Sequence, residues 1–168
     1  MRASVLSSRR GVLLGLPLLF AAGTASAQAG GTPRPLAMDR ASTLILVRGP
    51  LAALDQANKT GNYTVLRDLG GPTFQQNTAA RLAELFAHLR QEEVDLSAVL
   101  ALEPLIMNGP LIDAGGRLQI AGVFPSYPRQ LNFAVAYESA GGLWRLFGLS
   151  ISAAEPTPTA GAPRPPGG

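Results

Sequence analysis

His88 is the only histidine in the chain, and Glu84 and Glu92 stand four residues to either side of it. On a continuous helix that spacing puts an imidazole and two carboxylates on one face. Such a set offers three weak metal ligands or one proton shuttle. The competing reading is a solvated face opposite Leu82, Leu85 and Leu89, which is the commoner outcome of this pattern. The chain has no cysteine, which removes disulfides, thiol catalysis and thiolate metal sites together. It has no Gly-x-Ser-x-Gly elbow, no Gly-x-Gly-x-x-Gly turn and no Walker loop, so serine-hydrolase and nucleotide chemistry have no support. Aromatic residues gather in the second half. Phe124-Pro125-Ser126-Tyr127-Pro128 reads as a rigid loop between two strands, suited to rim a pocket or a dimer face. The candidate ligand-binding residues are therefore Phe124, Tyr127, Phe133 and Trp144. No cofactor is expected.

The elements that must position these residues change period halfway along the chain. Leu44, Val47, Leu51, Leu54 and Asn58 recur at helical spacing, and Gly61 stands where a left-handed cap belongs, so a helix is expected from about Ser42 to Thr60 with a kink at Gly49-Pro50. A short second helix, Tyr63 to Leu69, is capped by Asn62, and a third runs from about 77 to 91 with Leu82, Leu85, Phe86 and Leu89 inward. From residue 101 the period is two. Strands are expected near 101–112, 117–124, 130–138 and 143–152, joined by turns at Asp113-Ala114-Gly115-Gly116 and Ser139-Ala140-Gly141-Gly142. The last of them, from Leu143 to Ile151, is apolar on both parities. That suits a central strand, or one covered by helices on one side and by a partner or curl on the other. Helices followed by an antiparallel four-stranded meander make an α+β fold.

The ends read differently. Arg2, Arg9-Arg10, the apolar run Val12 to Ala22 and the small-residue sites ending at Ala27 and Ala29 make residues 1–29 a signal peptide, with an apolar run too short to cross a bilayer, which needs roughly 20 residues. Ser8-Arg9-Arg10-Gly11-Val12-Leu13 resembles the twin-arginine export signal, with Val12 and Leu14 departing from it. Residues 30–37 read as a flexible arm, 38–153 as one domain and 154–168 as a disordered Pro/Gly-rich tail. Three of the 14 basic residues lie in the leader and all 11 acidic residues follow it, so the mature chain is balanced. Nucleic-acid binding has no support, and no stable membrane insertion is expected after cleavage. The expectation is a bacterial protein of the periplasm, or a secreted one.

Ala57-Asn58-Lys59-Thr60-Gly61-Asn62-Tyr63 between two helices, and the closing strand Gly142-Leu143-Trp144-Arg145-Leu146, resemble the nuclear-transport-factor-2-like superfamily. The resemblance implies a cone of helices closing over a curved sheet, and a pocket rather than a given reaction. It also implies where proton chemistry would sit: a carboxylate inside the cone with a tyrosine to polarise a carbonyl. Asp68 as base, with Tyr63 or Tyr137 as donor, are the nearest residues here, against the plainer reading of Arg67-Asp68 as a surface pair. With so few acids placed to face inward, the favoured reading is a non-catalytic domain that binds a small apolar ligand or self-associates through its sheet as a homodimer. The alternatives are a cofactor-free isomerase or lyase acting from Asp68, and an envelope adaptor with an apolar patch on the outer sheet face near Trp144 and Leu146.

Overall fold

A computed structural model describes residues 32–156; the expected signal peptide, the first residues of the expected arm and most of the expected tail lie outside the described residues. Helix α1 (Arg40–Thr60) begins where the Asp39 carboxylate accepts from the Ser42 N–H at 2.8 Å and from its hydroxyl at 2.6 Å. It ends at Gly61, whose φ of 76° lets its N–H turn back to the Ala57 carbonyl. The stripe Val47, Leu51 and Leu54 is fully buried, and each such side chain contributes roughly 1.5–3 kcal/mol. Leu44 and Asn58, expected on that stripe, are only half-buried; the buried face instead takes in Thr43, Pro50, Asp55 and Ala57.

Pro50 stays inside α1 and removes one helical donor, the N–H that would bond the Leu46 carbonyl. The hydroxyl of Tyr137, reaching from the sheet, donates to that carbonyl instead. Helix α2 (Thr64–Asp68) follows, with the Asn62 side chain accepting from the Thr64 N–H at 3.0 Å. A single 3₁₀ turn at Phe74–Gln76 leads on.

The expected third helix is two helices, α3 (Ala79–Leu85) and α4 (Ala87–Gln91). The chain tightens at Phe86, where Leu89 bonds back only three residues, and Phe86 turns into the core while Leu85 is left 45% exposed. The Arg90 guanidinium donates to the Ala83 carbonyl at 2.9 Å and so ties α4 back to α3 across the break. A one-turn helix α5 (Ala98–Ala101) replaces the expected start of the next strand; Asp95 sets it up by accepting from the Ser97 N–H at 2.8 Å.

The sheet has five strands rather than four. The order is β1 (Arg34–Pro35), β2 (Leu105–Ile112), β3 (Leu118–Phe124), β4 (Gln130–Ala140) and β5 (Leu143–Ala154), antiparallel throughout. The added strand, β1, comes from the expected arm, held by Arg34 opposite Ile112 and by the Leu36 N–H on the Pro110 carbonyl at 2.9 Å. β5 is the last strand in the order and not a central one. Its two apolar parities have separate causes: Leu146, Leu149 and Ile151 face the helices, while Phe147 is displaced outward by a bulge opposite Ala136 and Tyr137, where Arg117 lies 3.9 Å from its ring.

One sheet face packs on the helices. Leu118, Ile120 and Phe124 of β3 stand opposite Tyr137, Val135 and Leu131 of β4, and all are at most 4% exposed. The other face carries small and polar side chains, Gln119, Ala121, Ala134 and Ser150 among them. Trp144 and Leu146 lie on the helix side with Tyr137, so the apolar patch expected from them on the outer face is absent there.

Candidate functional site

Tyr137 is 4% exposed, and burial pushes its hydroxyl pKa well up, so it stays protonated. Its proton is committed to the Leu46 carbonyl orphaned by Pro50, which is a structural duty. Tyr63 is 1% exposed and also raised by burial, against the neighbouring Arg90 charge that pulls the other way. Its hydroxyl donates to Asn58 Oδ1 at 2.5 Å and accepts from the Arg90 guanidinium. Asp68 ends α2 on the surface, its side chain 59% exposed and 3.5 Å from Arg67. The Asp68 carboxylate thus faces water rather than an enclosed site, and both tyrosines already hydrogen-bond protein partners.

The Glu84, His88 and Glu92 face is interrupted by the break at Phe86, which divides them between α3, α4 and the residue after α4. All three are exposed and each has another partner: Glu84 pairs with Arg81 at 3.0 Å, His88 Nδ1 lies 3.2 Å from the Leu85 carbonyl, and Glu92 pairs with Arg129 at 3.4 Å. Among the described residues no three His, Asp or Glu side chains converge as a metal site.

The four aromatic candidates are spread over three places. Phe124 and Phe133 are core, their rings 5.2 Å apart and tilted by 46°. Tyr127 is 91% exposed on the rim of a cleft of about 460 Å³ between the β3–β4 loop and the stretch Glu93 to Leu102, with Leu131 and Ala153 below. Trp144 stands at the other end of the molecule in a trough between α1 and β5.

That trough has an apolar recess of about 200 Å³, formed by Ile45, Leu46, Gly49, Pro50 and Leu69 around Trp144, with Tyr137 and Leu146 lining it and Arg145 at its rim. It continues into an open cleft of about 430 Å³ that shares Ile45, Leu46 and Trp144 and ends at Met38, Asp39 and Ser42. Ile45 is 70% exposed and Leu69 is 40% exposed, although both are large and apolar. Arg145 makes no ion pair among the described residues. Sequence reasoning named Trp144 but missed Ile45, Leu46 and Leu69. The signal was present: Ile45 falls off the buried stripe of α1, and Leu69 follows the last turn of α2 without a core role.

A polar cluster was missed as well. Asp55 is 2% exposed on the inner side of α1, accepting from Lys59 Nζ at 2.7 Å and from Gln56 Nε2 at 3.3 Å. With Asn58 and Arg90 it lines a cleft of about 260 Å³. The hydrogen bond to Asp55 raises the Lys59 pKa, which keeps that ammonium charged. These groups satisfy one another, so the cluster reads as a brace between α1 and α4.

No helix among the described residues is long and apolar enough to cross a membrane. Compared with protein-family models, with curated proteins and with solved structures, the chain matches none.

Proposed function

We propose that this chain is a non-catalytic binding domain, exported to the bacterial envelope, that holds a small apolar ligand in the trough beside Trp144. The observation that carries the reading is the contrast between two kinds of site. The groups fit for proton chemistry, Tyr63, Tyr137 and Asp55, are buried and hydrogen-bonded to protein partners. Beside Trp144, by contrast, the large apolar side chains of Ile45 and Leu69 stay 70% and 40% exposed. An apolar concavity with one charged group at its rim is the usual form of a small-molecule site, and Arg145 suits a ligand with an anionic head. The succession of long helix, short helices and antiparallel meander supports a place among nuclear-transport-factor-2-like folds, with the helices closing over a curved sheet. The leader at residues 1–29 supports export.

The chain has one tryptophan, so its emission reports on the trough directly. Titration with the amphipathic anion anilinonaphthalene sulfonate is expected to quench Trp144 while the probe brightens. Ile45→Glu puts a charge into the apolar wall at an exposed position and should weaken binding at least about tenfold, since burying one aliphatic side chain is worth roughly 1.5–3 kcal/mol. Arg145→Gln should weaken the anionic probe more than a neutral analogue. Undiminished binding by Ile45→Glu would move the site elsewhere, with the Tyr127 cleft next in line.

A further inference from the structure

The two edges of the sheet are built differently. One carries β1, two residues long and made of Arg34 and Pro35, a charge and a residue without an N–H; it covers only Leu111 and Ile112 of β2, and the rest of that strand, Leu105 to Pro110, is broken by two register shifts and ends in a proline. These are devices that keep a sheet edge from recruiting another strand. The other ends in β5, twelve residues long. From Leu146 to Ala154 that strand carries no charge and no proline. Its outer edge is covered at Leu146, whose N–H donates to the Leu69 carbonyl at 3.4 Å and whose carbonyl accepts from the Gly71 N–H at 2.8 Å. Beyond Gly148 no main-chain bond reaches that edge among the described residues.

We propose that β5 pairs antiparallel with the same strand of a second copy, about a twofold axis at Ser150. The strand is self-complementary about that residue. Leu149 opposes the partner's Ile151 on the helix-covered face, and Gly148 opposes the partner's Ser152 on the outer face, where Ser150 meets its own counterpart. Aliphatic pairs on one face and small hydroxyl or glycine pairs on the other keep both sheets in phase, and a one-residue slip would set Leu149 against a serine. The contact is isologous and closes on itself, so one unblunted edge serves both copies. An edge without charge also offers nothing to select a foreign strand by electrostatics. The pairing lies past Leu146, the last residue of β5 in the trough, so ligand binding and dimerisation fail independently.

The test compares the protein purified from its producing cells with Ser150→Glu, Ser150→Lys and an equimolar mixture of the two, by sedimentation equilibrium with circular dichroism as the check on folding. Ser150 is exposed, so the fold should tolerate either charge. A dimer is expected for the parent. Each variant alone should raise its dissociation constant at least about tenfold, because like charges would sit about 5 Å apart, and the mixture should recover a heterodimer. Because the chain is free of cysteine, Ser150→Cys should also crosslink to a covalent dimer under mild oxidation while Ser139→Cys does not. A monomeric parent at every concentration, or single variants as dimeric as the parent, overturns the proposal.

Discussion

Replacing Tyr137 by Phe removes one oxygen from the molecule, and the consequence depends on a residue in another element. Pro50 has no N–H, so the Leu46 carbonyl has no helical donor, and the Tyr137 hydroxyl fills that place across the junction of α1 and β4. Tyr137→Phe leaves a partly buried carbonyl unsatisfied. The cost is about 1–2 kcal/mol, the lower part of the range for an unpaired buried acceptor. For a domain of this size that corresponds to a fall in Tm of roughly 3–8 °C. Pro50→Ala supplies the missing N–H, so in that background the same substitution should cost less than about 0.5 kcal/mol, whatever the loss of the proline ring costs by itself. Urea unfolding of the four proteins in this double-mutant cycle, followed by far-ultraviolet circular dichroism, gives the coupling, expected at about 1–1.5 kcal/mol. Equal costs of Tyr137→Phe in both backgrounds would refute the pairing of Pro50 with Tyr137 as cause and remedy.

Other outcomes follow from the same geometry. Burial raises Tyr63 and Tyr137, so the folded state holds their protons more tightly than the unfolded chain, whose tyrosines titrate near 10; stability should be flat below about pH 9 and fall as pH rises past about 10, and an unchanged urea midpoint at pH 11 would contradict this. At the acid end, hydrogen bonds from Ser42 hold Asp39 down, those from Ser97 hold Asp95 down, and those from Arg117 and Gln119 hold Asp113 down. The folded state therefore releases those protons more readily, and stability present above about pH 4 should be lost as pH falls through the lower folded values; a urea midpoint unchanged down to pH 2.5 would speak against it. Thr78→Ala removes the side chain that accepts from the Arg81 N–H at 3.1 Å and should cost about 1 kcal/mol in urea unfolding, without altering probe binding at Trp144. Arg90→Leu removes the donors to Tyr63 and Ala83, and is expected to lower the unfolding midpoint and speed amide exchange in residues 86–92 before the sheet is affected.

The parts of the fold that were legible are those in which one period governs a whole element. The alternation of Leu118, Ile120 and Phe124 and of Leu131, Phe133, Val135 and Tyr137 places β3 and β4 and their buried face, and Gly141 and Gly142, at φ of 61° and 76°, mark the turn that joins β4 to β5. What escaped was set by tertiary contact. Two residues of β1 carry no pattern and exist because β2 is there to pair with them. The break at Phe86 hides in a run with good helical spacing, since Leu85 and Phe86 are both apolar and only packing decides which one turns inward. β5 looked central because Phe147 is apolar, and the bulge that sends it outward leaves no mark on composition. The catalytic candidates were chosen by residue type, yet Tyr137 is explained by Pro50, 87 positions away in neither motif nor period. Trp144 was named without its surroundings, because Ile45 and Leu69 reveal themselves only as apolar residues left over once the core is filled.

The claim that the Trp144 trough is a ligand site is tested most directly by native mass spectrometry of the protein and its Ile45→Glu variant, each purified gently from the cells that make it and then exposed to the total lipid and small-molecule extract of those cells. The account predicts a discrete adduct of a small apolar or amphipathic molecule on the parent, one per chain, that is absent or at least about tenfold reduced on the variant. A parent that stays bare through that exposure, or an adduct that Ile45→Glu retains in full, would contradict it.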